Sequence, residues 1–303
     1  MSSVLLEQQH VLFISLDSCR YDTFEAAYRA GSIPHMSDIA PLHRAMAPSY
    51  FTFASHAAFW MGFTPGVVGC HDPWLNPKAG KLFRMAFSGS PGRDDDGFRL
   101  EGANLIEGFR RLGYRTIGSG AVDWFDPSSE TGAVLGLPFE RFHFAGNTWS
   151  LAQQLAWINA ELTATPEDQP VFCFLNVGET HVPYWHEGAS WECWPSPCVP
   201  FGGPTCSAFE SARRQRACLE WIDTQLEPLL KRFADGTVLL CADHGDCWGE
   251  DGLWEHGISH PATLTVPLLL QVRGEAVGFE PPTSPSRIRR VFSRLRQWMQ
   301  VRA

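Results

Sequence analysis

The sequence contains no run of about eighteen apolar residues, so no helix is expected to cross a membrane. The opening MSSVLLEQQHVLFISLD lacks a basic region followed by an apolar core and a small-residue cleavage site. It does not read as a signal peptide. Positive charge is also short. The formal net charge is -9, which argues against wholesale binding to nucleic acid. No Cys-x2-Cys pair occurs among the nine cysteines. Their odd number and the missing secretory signal point to a reduced, cytoplasmic setting. No internal repeat is present.

What is there suits one large α/β domain or two small ones: 303 residues, 44% hydrophobic and 19% charged. The most informative stretch is Val238–Gly257, VLLCADHGDCWGEDGLWEHG. Its apolar start reads as a buried parallel strand, and it ends in Asp243-His244-Gly245. In open α/β sheets, chemistry collects where strands end. An acid and a histidine side by side there can face one cation. His256 follows twelve residues after His244 and adds a spare imidazole.

Two more apolar runs end the same way. His10–Leu16 is β-branched and aromatic and stops at Asp17-Ser18. Asp17 is either a helix N-cap or a second acidic ligand from a second strand end. Pro170–Val177 stops at Gly178-Glu179-Thr180-His181. Thr52, in the segment APSYFTFASH before an apolar helix, is either a cap or a nucleophile near a metal. Glu179 and Trp185 either line the mouth of a pocket or pack a loop. His56 stands four residues past Thr52 and could line an anion site. The other histidines, His10, His35, His43, His71, His143 and His186, read as solvated or as partners of backbone groups.

Helical patterns run over Thr23–Ala30, Asn104–Leu112, Trp149–Leu162 and Ala208–Ala234, with further strands at Tyr114–Gly118, Phe139–Phe144 and Val266–Val272. Residues 73–102 read as a Gly-, Pro- and charge-rich surface excursion. The loop 185–206 is dense in Trp, Pro and Cys. Its Cys193, Cys198 and Cys206 are either packed thiols or a metal site, although the spacing is not that of a zinc ribbon. These readings divide the chain into a catalytic domain, 1–277, and a linker with a basic C-terminal helix, 278–303. That helix carries six arginines and no acid. It either packs on the body or touches a membrane surface or a partner.

Four segments in order, LDSCRYD, TFASHAAFWMG, GETHVPYW and ADHGDCWGEDGLWEHG, resemble the alkaline phosphatase superfamily, in particular its sulfatase-like branch. The resemblance covers roughly residues 10–275. It implies a mostly parallel central sheet with helices on both faces and a site along the C-terminal strand edges. It implies that Asp17, Asp243, His244 and the Thr52 oxygen bind one divalent cation. Thr52 falls where sulfatases carry the cysteine that becomes formylglycine. Threonine cannot undergo that conversion, but it is the nucleophile type of the family's phosphodiesterases, phosphoethanolamine transferases and lipoteichoic acid synthases. His181 matches a histidine that contacts the anionic group. His256 matches a residue that holds the anion or protonates the leaving oxygen.

The sequence also departs from the sulfatase pattern. His56 replaces an arginine, and Asp17 is followed by Ser18 instead of a second aspartate. Fewer oxygens and one more imidazole favour zinc or manganese over calcium, with magnesium and calcium still open. A second metal would draw on His181, His256 and His260. The implied activity is hydrolysis or transfer of a small-molecule phosphate mono- or diester through a covalent threonine intermediate. A sulfate ester hydrolase, and a degenerate member that binds an anion or a partner without turnover, stay open.

Overall fold

The computed structural model describes residues 9–62 and 104–278. The surface excursion expected at 73–102 and the basic helix expected at Arg287–Arg302 lie outside the described residues.

Five segments, three of them strongly apolar, build the parallel part of one sheet. They are β1 (Val11–Leu16), β3 (Arg115–Gly120), β4 (Arg141–Phe144), β5 (Val171–Val177) and β6 (Thr237–Ala242). The order is β6-β1-β5-β3-β4, so β1 and β5 are central. Every residue of β5, VFCFLNV, is buried, as both faces of a parallel sheet must be. The segment β9 (Thr265–Val272) runs antiparallel beside β6 and carries β2 (His43–Met46) and β10 (Glu275–Ala276) on its far side. The sheet is therefore mostly parallel, with an antiparallel margin. The short strands β2 and β10 have no periodicity long enough to be read from sequence.

Helices cover both faces. On one side α1 (Tyr21–Ala30), α2 (Pro34–Ser37), α6 (Leu151–Thr163) and α7 (Ala208–Arg232) pack on Leu12, Ile14 and Leu16 of β1. On the other side α3 (Thr52–Met61), α4 (Leu105–Arg111) and α5 (Glu130–Gly136) pack on Phe13 of the same strand. The alternation of Leu12, Phe13 and Ile14 between two cores is the two-residue period of a strand. The second core is aromatic: Trp60 and Phe174 meet edge to face with ring centres 4.8 Å apart. Each such ring contributes about 1.5–3 kcal/mol by leaving water.

The register places the chemistry. Leu16, the last residue of β1, pairs with Ala242 of β6 on one side and with Val177 of β5 on the other. Asp17, Asp243 and Gly178 therefore emerge side by side from one sheet edge. A short α8 (Pro261–Leu264) and a hairpin of β7 (Cys247–Trp248) with β8 (Trp254–Glu255) complete that end.

Candidate active site

Asp17, Asp243, His244 and Thr52 are all fully buried and share one point at the sheet edge. The Thr52 hydroxyl lies 3.4 Å from Asp17 Oδ1 and 3.3 Å from His244 Nε2. His244 Nε2 is 3.5 Å from Asp243 Oδ2 and 3.7 Å from Asp17 Oδ1. Neither capping alternative describes the structure. The N-cap of α1 is Arg20, so Asp17 caps nothing. Thr52 is the first residue of α3, whose N-cap, Phe51, makes no side-chain bond. The threonine hydroxyl is thus turned away from its own helix and toward the carboxylates.

The neighbours of these groups set their chemistry. Asp243 Oδ1 accepts the backbone N–H of Ser18 at 3.2 Å and that of His244 at 3.0 Å. Ser18 reaches it through a left-handed backbone (φ 58°), unusual for a residue other than glycine. Asp17 accepts Asn176 Nδ2 at 3.1 Å. The Nδ1–H of His244 donates to the Gly245 carbonyl at 3.1 Å, which turns the Nε2 lone pair toward the carboxylates. Burial, followed by the charge of Asp17, pushes the Asp243 carboxyl well above the ordinary carboxylate range. Burial, with the nearby charge of His256, lowers His244 to about 3, so this imidazole stays neutral.

Asp243 Oδ2 has no hydrogen-bond partner. Two carboxylates buried together with a neutral imidazole are expensive: each uncompensated charge costs several kcal/mol. A divalent cation would remove that cost, and the donors suit one. Asp17, Asp243 and His244 each offer a ligand atom, all within 4.8 Å of one another. Two carboxylates, a hydroxyl and an imidazole match zinc or manganese, with magnesium tolerated.

His181 and His256 stand beside this group and are only partly buried. Their ring centres are 5.0 Å apart, and His256 lies 4.6 Å from His244. The His181 Nδ1–H donates to the Val182 carbonyl, which frees its Nε2. His256 Nδ1 is 2.7 Å from Asp246 Oδ1. Burial alone would lower the pKa of His256, but the hydrogen bond and charge of Asp246 outweigh it and raise it to about 8.

Several residues sit elsewhere than the sequence suggested. His56 is set behind the carboxylates, with Nδ1 3.7 Å from Asp243 Oδ2. It is fully buried, donates Nδ1–H to the Thr52 carbonyl at 2.8 Å, and is ringed by Phe59, Trp60, Phe125 and Phe174. An apolar helix face leaves it nowhere else to go, and burial lowers it to about 4. Glu179 is not at a pocket mouth either. It is buried and accepts the backbone N–H of Leu151 at the start of α6. His260 accepts from the Ala262 N–H as the cap of α8 and belongs to neither ligand group. Cys193, Cys198 and Cys206 are free thiols, and among the described residues no cysteine joins a metal-ligating group.

Sequence reasoning passed over three residues. Asp246 lies two positions past His244, and its acidity beside a ligand pair was the available signal. Asn176 is the one polar residue inside β5 besides its cysteine. Gln215 bridges the carbonyls of Ser18 and Thr180 from α7, each at 3.0 Å, with no signal in a helix pattern.

No family model and no curated protein matches the sequence. The solved structures do match. One is the integral membrane lipooligosaccharide phosphoethanolamine transferase A of Neisseria meningitidis, with 12% identity and a TM-score of 0.58. The alignment covers 90% of this chain and 49% of that one, so the chain spans about half its length. A second is the C-terminal periplasmic domain of EcEptC from Escherichia coli in complex with Zn. It has 12% identity and a TM-score of 0.56, over 89% of this chain and 74% of that one. A third is a protein in the alkaline phosphatase superfamily from Vibrio parahaemolyticus. It has 12% identity and a TM-score of 0.52, over 89% and 61% of the two chains. The cytoplasmic setting expected from the cysteines finds no support among these neighbours. Among the described residues no helix is long and apolar enough to cross a membrane. The chain has the fold of the alkaline phosphatase superfamily.

Proposed function

We propose that this chain is a metal-dependent phosphoester hydrolase or phosphotransferase that works through a covalent phospho-threonine at Thr52. One observation carries the reading. The Thr52 hydroxyl, at the start of α3, faces a buried pair of carboxylates and a neutral histidine instead of capping its helix. The neighbours support the substrate class, since one is a phosphoethanolamine transferase, and a related domain was solved with zinc.

Asp17, Asp243, His244 and Thr52 would hold the cation. When bound, it lowers the pKa of the threonine hydroxyl and offsets charge that builds on phosphorus. The residues of the chain do the rest. Thr52 Oγ1 loses its proton to water and forms a bond to phosphorus as the bond to the ester oxygen breaks. The start of α3 presents backbone N–H groups and the positive end of the helix dipole to the anion. His181 Nε2 holds a non-bridging oxygen. His256 Nε2 gives the leaving oxygen its proton, so the alcohol departs neutral. Water, or an acceptor alcohol, then attacks phosphorus, releases Thr52 and returns a proton to His256. Hydrolysis and transfer differ only in that last nucleophile.

The test is turnover of an aryl phosphodiester by the zinc- or manganese-loaded protein, with an aryl sulfate in parallel. Thr52→Ala should lower turnover by several orders of magnitude while metal content survives. A variant within about tenfold of wild type would exclude Thr52 as the nucleophile. Faster cleavage of the sulfate would move the reading to a sulfate esterase. Retained metal with no turnover of either ester would leave a binding protein.

A further inference from the structure

The β7–β8 hairpin pairs Cys247 with Glu255 and Trp248 with Trp254. Continued one step, that register sets Asp246 opposite His256. Asp246 is fully buried, and both of its carboxylate oxygens are taken. Oδ1 lies 2.7 Å from His256 Nδ1, and Oδ2 accepts the Tyr184 hydroxyl at 2.7 Å. The Tyr184 oxygen in turn accepts the indole N–H of Trp248 at 2.7 Å. The Asp246 carbonyl accepts Arg20 Nη1 at 3.0 Å, and the Arg20 guanidinium lies 4.3 Å from the centre of the Trp248 ring. Tyr184 and Trp248 are themselves buried. The carboxylate is therefore fixed in position and in rotation before it meets the histidine.

We infer that Asp246 is a positioning residue: it takes the Nδ1–H of His256 and leaves Nε2 as the ring atom that delivers a proton to the leaving oxygen. The assignment rests on the phosphoester reading of the site. Asp246 is acidic and lies within reach of His244 and His256, so a second cation is the rival use of the same three groups. The hydrogen bonds decide between them. A cation between Asp246 and His256 would displace the proton that now joins them. Asp246 has no bare oxygen asking for one. Asp243, with Oδ2 unpartnered, does. Proton delivery matters most when the leaving alcohol is a weak acid, so the role has a signature of its own.

The experiment compares wild type, Asp246→Asn, His256→Ala and the double variant on two phosphodiesters. One ester releases p-nitrophenol, and the other releases an alkyl alcohol. Metal content per chain is read alongside. For Asp246→Asn the alkyl ester should lose about 100-fold in kcat and the p-nitrophenyl ester less than about tenfold, with metal content unchanged. The double variant should be no worse on the alkyl ester than His256→Ala alone. Tyr184→Phe, which keeps the carboxylate, should give a smaller loss with the same selectivity. Equal losses on both esters, or losses that multiply in the double variant, would overturn the assignment. Loss of one metal per chain in Asp246→Asn would make Asp246 a ligand instead. A second readout needs no turnover. The hydrogen-bonded Nδ1 proton of His256 should resonate downfield in the proton NMR spectrum and vanish in Asp246→Asn. If wild type cleaves neither ester, the phosphoester reading falls. That resonance then still reports whether Asp246 orients the ring, and its absence from wild type would overturn the positioning.

Discussion

Four carboxylates, Asp17, Glu179, Asp243 and Asp246, are buried at this end of the sheet, and the chain treats the last three differently. Asp246 has both oxygens satisfied by His256 and Tyr184. Glu179 has one, Oε1, satisfied by the Leu151 N–H, while Oε2 is bare. Asp243 also has one bare oxygen, Oδ2, and faces a second carboxylate, Asp17, as well. A buried carboxylate can be neutralised by donors from the chain, by a proton or by a cation. The structure shows the first at Asp246. The other two differ in what stands opposite. Glu179 meets a helix start and no ligand set, so a proton suits it. Asp243 meets Asp17, Thr52 and His244, so a cation suits it.

The largest effect should come from breaking the third case. Stripping divalent metal should lower the stability of wild type, by about 4 kcal/mol relative to metal at a thousandfold excess over its dissociation constant. Asp243→Asn should lose most of that response. It should also be no less stable than stripped wild type, because it removes the cost of burying a second carboxyl beside Asp17. Denaturation with and without chelator measures both. A stripped wild type as stable as the loaded one would mean that the acidic pair needs no cation.

Glu179 gives the next effect, and its sign follows from burial. Burial pushes the Glu179 carboxyl up from 4.5 to about 7. Between those values the folded chain holds a proton that the unfolded chain has released. Stability is therefore fully present below about pH 4.5 and is lost as pH rises to about 7, by at most about 3 kcal/mol. Glu179→Gln cannot titrate, so its unfolding free energy should lack that decline. Parallel slopes for the two proteins between pH 4.5 and 8 would mean that Glu179 is already ionised in the fold.

Much of this comparison was legible in the sequence. Asp17, Asp243 and His181 follow apolar runs, and strand ends in a parallel sheet share an edge, so their convergence follows from pattern and topology together. Thr52 was legible only as one of two alternatives, because a cap and a nucleophile use the same residue type at the same helix end. The orientation of its hydroxyl needed coordinates. The pairing of Asp246 with His256 was not legible at all. It depends on the register of two strands of two residues each, too short for any period to show. The burial of His56 in an aromatic cage behind Asp243 has a similar cause. One polar residue on an apolar helix face does not announce which side of that face reaches the site.

The Asp246 arrangement can be weakened without touching a charge. Tyr184→Phe removes the donor to Asp246 Oδ2 and strands the Trp248 indole N–H. Leaving buried polar groups unpaired should cost about 1–3 kcal/mol. Because none of these groups belongs to the Asp17–Asp243 pair, the cost should be equal with and without metal. A cost that appears only in loaded protein would tie the two halves of the site together.

The smallest effect tests whether a second metal centre exists outside this edge. Cys193 and Cys206 are half-buried and Cys198 is buried, all three free. Burial raises the Cys193 and Cys198 thiols, so in the absence of a cation both stay protonated. The Cys198 thiol donates instead to the Cys247 carbonyl, at 3.5 Å, which fastens the loop to β7. Replacing Cys193 and Cys206 by serine should shift unfolding free energy by about 0.5 kcal/mol or less and leave metal content as it was. A drop of one metal per chain in that double variant would show that the loop, and not only the sheet edge, gathers cations.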